Sequence, residues 1–228
     1  MDVTPTLDEE GTNRFQQLID ILRWSLELGR IDILTEVSCL SQHLAEPREG
    51  HLVAVYIIFK YLDVCLKKDK GRVVFHGKSK FVDNVMFNDI NREEWDAFYT
   101  DAEEEFPIRG PEPFGNPVRL SAYVDANHAG NLKTRRSHTG LLVYMNSAPI
   151  IWYSKRQNTV EASSFGSEYI ALRICTEMVE SLRYKLRCFG VPIDGPYDIF
   201  CDNRTVVTNS SIPTSLLNKG TMRSVITE

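Results

Sequence analysis

The sequence has no uninterrupted apolar run of the roughly 18 residues that a membrane-crossing helix needs. Its opening, Met1-Asp2-Val3-Thr4-Pro5, lacks the basic and apolar regions of a secretory leader. No membrane partner and no secretion are therefore expected. Cysteine is scarce: five residues, at 39, 65, 175, 188 and 201, an odd and widely spaced set with no C-x-x-C. That pattern excludes a disulfide framework and reads as reduced thiols packed as small hydrophobes. Paired Cys or His ligands for zinc are missing too. No internal repeat is apparent. Basic charge is thin in the first half, where residues 1–116 hold 22 acids against 13 Lys/Arg, a net of −9. Residues 117–228 hold 9 acids against 13 Lys/Arg, a net of +4, and the two sum to −5. A basic half suits a polyanion partner, because neutralising phosphates releases counterions. It is equally compatible with ordinary solubility.

What is present is ordinary globular material: 228 residues, 43% hydrophobic and 25% charged, enough for a core and for one domain or two. Residues 12–67 read as helical. Leu18, Ile21, Leu22, Ser25, Leu26 and Gly29 share one face at i, i+3, i+4 spacing. Pro47 favours a second helix start, continued by Val55, Ile58, Phe59, Leu62 and Leu66. The expectation is two amphipathic helices packed as a hairpin, over residues 1–77. Residues 78–116 change character. An acidic, aromatic run (Glu93, Glu94, Trp95, Phe98, Tyr99, Asp101, Glu103 to Glu105) precedes Pro107, Gly110, Pro111, Pro113, Gly115 and Pro117. That reads as a linker whose aromatics can pin it to a neighbour.

From residue 117 the pattern is β. Val118 to Val124 alternates and ends at Asp125. Gly140 to Met145 and Pro149 to Ser154 follow around the short turn Asn146-Ser147. Ser163 or Ser164 can cap a long helix that Gly190 stops. The strand Tyr197 to Cys201 ends at Asp202, and Asn203 can cap a short helix. The order βββαβα implies an α/β fold with a mixed sheet and a crossover helix. Three acids fall at the ends of these elements: Asp125, Glu168 and Asp202. Each alone reads as a surface residue or a cap. Three converging carboxylates repel one another unless a cation sits among them. Oxygen donors without His or Cys point to Mg²⁺ or Mn²⁺. His128 and His138 have no evident partner, and Trp152 reads as core rather than a base-stacking platform.

Five stretches in order carry a resemblance. They are Tyr123-Val-Asp125-Ala-Asn-His-Ala-Gly130, Thr134-Arg135-Arg136-Ser137-His-Thr139-Gly140, and Ile151-Trp152-Tyr-Ser154-Lys155-Arg156-Gln157-Asn-Thr159-Val160, followed by Ser163-Ser164-Phe-Gly-Ser-Glu168-Tyr169-Ile-Ala171 and Cys201-Asp202-Asn203. Together they resemble the RNase H domain of copia-type LTR retrotransposon Pol polyproteins. Leu22 to Ile33, Pro47 to His51 and Phe59-Lys60-Tyr61-Leu62 resemble, less sharply, the segment after the polymerase palm, so residues 1–77 look like thumb and connection. The palm's Tyr-x-Asp-Asp is absent. Tyr61-Leu62-Asp63-Val64 imitates it without the second Asp, and Asp63 reads as a solvent-facing helix residue.

The resemblance implies an RNase H-like fold over residues 117–228 and hydrolysis of the RNA strand of an RNA–DNA hybrid. Two Mg²⁺ or Mn²⁺ ions would be held by Asp125, Glu168 and Asp202, with Asp125 bridging. Arg135, Arg136, Lys155, Arg156 and Asn203 are the expected nucleic-acid contacts, each with solubility or capping as its plain alternative. Implied partners are the hybrid and the remaining polymerase part of the polyprotein, in the cytoplasm (in virus-like particles) or the nucleus. The family adds a fourth ligand on a final helix. Here the chain stops at Glu228, soon after Leu216 to Thr221, where that helix should begin, so weak or no nuclease activity is expected from this chain alone. A non-catalytic RNase H-fold module that binds nucleic acid or a partner protein, and an inert remnant of a truncated element, stay open.

Overall fold

The structure, a computed structural model, describes residues 2–64, 92–98, 104, 106–108 and 110–213, and the chain divides into two compact units, residues 1–74 and 75–228. Of the expectations above, Leu66, Tyr99, Asp101, Glu103, Glu105 and the stretch 216–221 lie outside the described residues.

The first unit is helical. Helix α1 (Glu9–Glu27) starts where Asp8 accepts from the Gly11 N–H at 2.8 Å, with Glu9 and Glu10 in the first turn facing the helix dipole. A short α2 (Leu34–Leu40) follows, then α3 (Glu49–Val64). The buried stripe of α1 is Phe15, Ile19, Leu22 and Leu26, packed with Ile33, Val37, Val55 and Ile58. The expected stripe is thus half right. Leu22 and Leu26 are inside, but Ile21 and Gly29 are exposed, because Phe15 and Ile19 rotate the buried face. The expected hairpin also gains a third element, α2, whose Val37 fills the core. Asp63 is exposed on α3. Among the described residues no helix is long and apolar enough to cross a membrane.

The second unit is a mixed α/β structure. Its described elements are α4 (Arg92–Phe98), β1 (Leu120–Asn127), β2 (His138–Met145), β3 (Ala148–Arg156), α5 (Ser164–Cys188), β4 (Asp198–Cys201) and α6 (Arg204–Ser210). The sheet order is β3-β2-β1-β4. The first three strands form an antiparallel meander, and β4 pairs parallel to β1. A parallel neighbour needs a crossover, and α5 supplies it. The alternating residues Leu120, Ala122, Val124 and Ala126 of β1 and Leu141 and Val143 of β2 meet Ala171, Leu172, Cys175 and Val179 of α5. Helix α5 ends at Gly190, whose φ of 70° only glycine adopts cheaply, and the Val191 N–H closes onto the Leu186 carbonyl at 3.0 Å.

Within the segment read as a linker, the described residues Trp95, Glu104 and Phe106 contact α5 and the end of α6. Trp95 of α4 is buried, and its Nε1–H donates to the Ser211 carbonyl at 3.2 Å. Glu104 accepts from both Arg183 and Arg187 of α5, and Arg187 stands 4.3 Å over the Phe106 ring. Trp152, expected in the core, is half-buried opposite Leu142, on the sheet face turned away from Leu141 and Val143.

Candidate metal and nucleic-acid site

Strand register sets the first two acids. Val124 of β1 is paired with Cys201 of β4, so Asp125 and Asp202 follow as neighbours where the parallel pairing ends. Strand β4 stops there, whereas β1, expected to end at Asp125, stays paired with β2 as far as Asn127. Helix α5 sets the third. Its Ser163 cap accepts from the Gly166 N–H at 3.2 Å, and the buried stripe then runs Glu168, Ala171, Leu172, Cys175, Val179. Glu168 lies on the face that packs against the sheet, one turn before the apolar part of that face begins. The same periodicity that builds the core therefore delivers a carboxylate to the strand ends.

Glu168 is only 7% exposed, whereas Asp125 and Asp202 are exposed. Burial, then the Asp125 charge, push the Glu168 carboxyl up to about 7, with Asp202 adding to the rise and the Ala126 N–H, which donates to it, opposing it. Its Oε2 is buried with no hydrogen-bond partner. Ligand atoms of Glu168, Cys201 and Asp202 lie within 4.8 Å of one another. Burial pushes the Cys201 thiol up to about 11. Asp125 is close enough to hydrogen-bond Glu168 when the pair holds a proton. Glu168 thus lies beside both other acids named from sequence, and the tight group it shares with Asp202 takes in Cys201 rather than Asp125. Cys201 was legible only as the residue before Asp202, and its place in the cluster comes from the parallel pairing of β4.

A buried polar network holds Glu168 in place. The Gln157 side-chain amide donates to Thr139 Oγ1 at 3.0 Å and to the Ser167 carbonyl at 2.9 Å, and its backbone N–H donates to Ser137 at 2.8 Å. Ser137 Oγ accepts from the Ala129 N–H at 3.0 Å. These bonds tie the end of β3, the start of β2 and the first turns of α5 to the loop after β1. His128 corrects an expectation, because its Nδ1 lies 3.3 Å from Ser167 Oγ. His138 is likewise engaged, and burial, then the Arg156 charge, hold its ring below the usual histidine range.

The expected basic contacts fall at the same end of the sheet. Asn127 pairs with His138, and His138 pairs with Arg156, so the end of β1, the start of β2 and the end of β3 are level. Lys155 and Arg135 are exposed, and Arg136 and Arg156 are half-buried. Arg135 sits in a tight turn at φ 57°, its N–H bonded to the Asn131 carbonyl at 2.7 Å. Asn203 caps α6: its side-chain oxygen accepts from the Thr205 and Val206 N–H groups at 3.1 and 3.2 Å, which commits that oxygen to the fold.

No protein-family model and no solved structure matches the chain. It is 35% identical over 89 residues to the retrovirus-related Pol polyprotein from transposon RE2 of Arabidopsis thaliana, covering 39% of this chain and 6% of that protein. It is 25% identical over 207 residues to the retrovirus-related Pol polyprotein from transposon TNT 1-94 of Nicotiana tabacum, covering 89% of this chain and 12% of that protein. It is also 39% identical over 70 residues to the secreted RxLR effector protein 161 of Plasmopara viticola, covering 31% of this chain and 49% of that one. The chain spans a small fraction of the polyproteins it matches. Its homologues include retrovirus-related Pol polyproteins of plant transposons, which supports a retroelement Pol protein.

Proposed function

We propose that the second unit is a copia-type RNase H domain of a retrotransposon Pol protein, which hydrolyses the RNA strand of an RNA–DNA hybrid. The observation that carries this reading is the buried Glu168, with an unpartnered Oε2 and with Asp125 and Asp202 close enough to raise its carboxyl. An orphaned carboxylate oxygen among like charges is an unfavourable arrangement for a bare protein, and hard oxygen donors suit a divalent cation. The residues present therefore fit two Mg²⁺ or Mn²⁺ ions, held by Asp125, Glu168 and Asp202. When bound, the ions supply a water nucleophile at neutral pH and charge stabilisation of the leaving 3′-oxygen.

The chain's own residues do the rest. The Gln157 network fixes the first turns of α5, so Glu168 faces the strand ends without reorganising. Arg135, Arg136, Lys155 and Arg156 bind the phosphates that flank the scissile bond, because they share the acids' end of the sheet. Choice of hybrid over DNA duplex rests on 2′-hydroxyl contacts and helix shape, with little base readout. The first unit, helical and without such an acid cluster among its described residues, corresponds to polymerase thumb and connection, and the rest of the polymerase is its partner. The domain acts where hybrids are made, in cytoplasmic particles or in the nucleus.

The purified full chain, given Mg²⁺ and a labelled RNA–DNA hybrid, should cut the RNA strand alone, however slowly, and D125N should abolish the cut. Cleavage that persists in D125N, or that survives removal of divalent cations, would overturn the reading.

A further inference from the structure

The acid cluster contains a donor that magnesium chemistry does not use. Cys201 Sγ lies with Glu168 and Asp202 oxygens in a group whose ligand atoms are all within 4.8 Å of one another. Its position follows from the fold. Cys201 pairs with Val124, whose side chain faces α5, so the thiol points to the helix side of the sheet, where Glu168 arrives. Glu168 is 7% exposed, and its Oε2 has no hydrogen-bond partner. A sulfur and two carboxylate oxygens form a mixed soft and hard donor set, one that Zn²⁺ and Cd²⁺ accept and Mg²⁺ does not.

We infer that Cys201, Glu168 and Asp202 form a second binding mode of this site, which captures a thiophilic divalent cation of the Zn²⁺ or Cd²⁺ class. On binding, the thiol proton leaves to solvent and a metal–sulfur bond forms, with no change of oxidation state. The residues shared with the proposed Mg²⁺ site are Glu168 and Asp202, so the two modes exclude each other, and the thiophilic ion inhibits the hydrolysis proposed above. The inference rests on that reading only for its consequence, inhibition. The binding itself stands on the three side chains.

The test uses the full chain with Cys39, Cys65 and Cys188 changed to Ser, which removes three cysteines outside the cluster. Cd²⁺ is the probe, followed by its ultraviolet thiolate charge-transfer band and by titration calorimetry, with Mn²⁺ titrated in parallel. Cys201→Ser should remove the band and weaken Cd²⁺ about tenfold or more while leaving Mn²⁺ affinity unchanged. Glu168→Gln, with Cys201 intact, should weaken both ions and shrink the band, and this variant carries the test if Cys201→Ser fails to fold. A Cd²⁺ band that is absent, or that Glu168→Gln leaves untouched, would overturn the inference. Absent Mn²⁺ binding beside an intact, Glu168-dependent Cd²⁺ band would instead sink the Mg²⁺ site and leave the thiophilic one standing.

Discussion

Two glutamates of the second unit, Glu104, which packs on α5, and Glu168, which belongs to it, have opposite fates. Glu104 lies at the C-terminal end of α5, where Arg183 and Arg187 hold both its oxygens. Burial alone would raise its carboxyl, but the hydrogen bonds from Arg183 and Arg187 bring it down to about 2. Glu168 lies at the N-terminal end, with the Ala126 N–H as its donor, an orphaned oxygen and two acids nearby, and its carboxyl rises to about 7. One carboxylate is completed by the chain itself. The other is left short of positive charge although Arg and Lys stand at the same end of the sheet. Structural ion pairs are finished inside the fold, and an unfinished buried acid marks a place where something else binds.

The harshest way to break this comparison is to unfinish the clamp. Arg183→Ala leaves Glu104 with one arginine and removes the bond to the Gly195 carbonyl, in a residue 4% exposed. It should cost about 3 kcal/mol or more in urea unfolding, with no dependence on divalent cations.

The pH dependence sharpens the contrast, because the two acids carry opposite signs. The folded Glu104 value lies below the ordinary 4.5, so its contribution is present above that pH and is lost as pH falls toward about 2. The folded Glu168 value lies above 4.5, so its penalty is absent in acid, grows as pH rises, and is full above about 7. Without cations, Glu168→Gln should therefore stabilise the chain by up to about 3 kcal/mol at pH 8 and change nothing at pH 4. Unfolding midpoints across that range check it, and an equal gain at both values would contradict the sign.

Much of this was legible in sequence because it is local. Asp202 stands just past the end of β4, Glu168 in the first turns of α5 and Asp125 two residues before the end of β1, and Gly190 follows α5 where only a left-handed residue fits. Their adjacency followed from the crossover rule once the element order was read. The clamp was not legible: Glu104 and Arg183 are 79 residues apart, and an acid in a proline-rich stretch carries no sign of its partner. The α1 stripe was misplaced for a related reason. Ile21 fits the helical period as well as Ile19 does, and only the packing against α2 and α3 chooses between them. His128 looked idle because its partner, Ser167, comes from another element.

A milder perturbation leaves both glutamates intact and removes the support of one. Gln157→Leu deletes two buried hydrogen bonds and should cost about 2 kcal/mol, with weaker Mn²⁺ affinity measured on the folded variant. The same deletion should leave the Glu104 clamp, and thus the acid limb of the stability curve, unchanged. The smallest effect is expected at the surface. Arg135→Ala should shift stability by no more than about 0.5 kcal/mol, yet lower hybrid affinity and reduce its logarithmic salt slope by about one, read by filter binding across a salt series.

The central claim is that Glu168 is unfinished because a divalent cation completes it. It is tested most directly by measuring unfolding free energy at pH 8 with and without Mg²⁺, in the full chain and in Glu168→Gln. Mg²⁺ should stabilise the unmodified chain, closing most of the gap to the variant, and should stabilise the variant much less. A chain that gains nothing from Mg²⁺, or a variant that gains as much, would contradict the account.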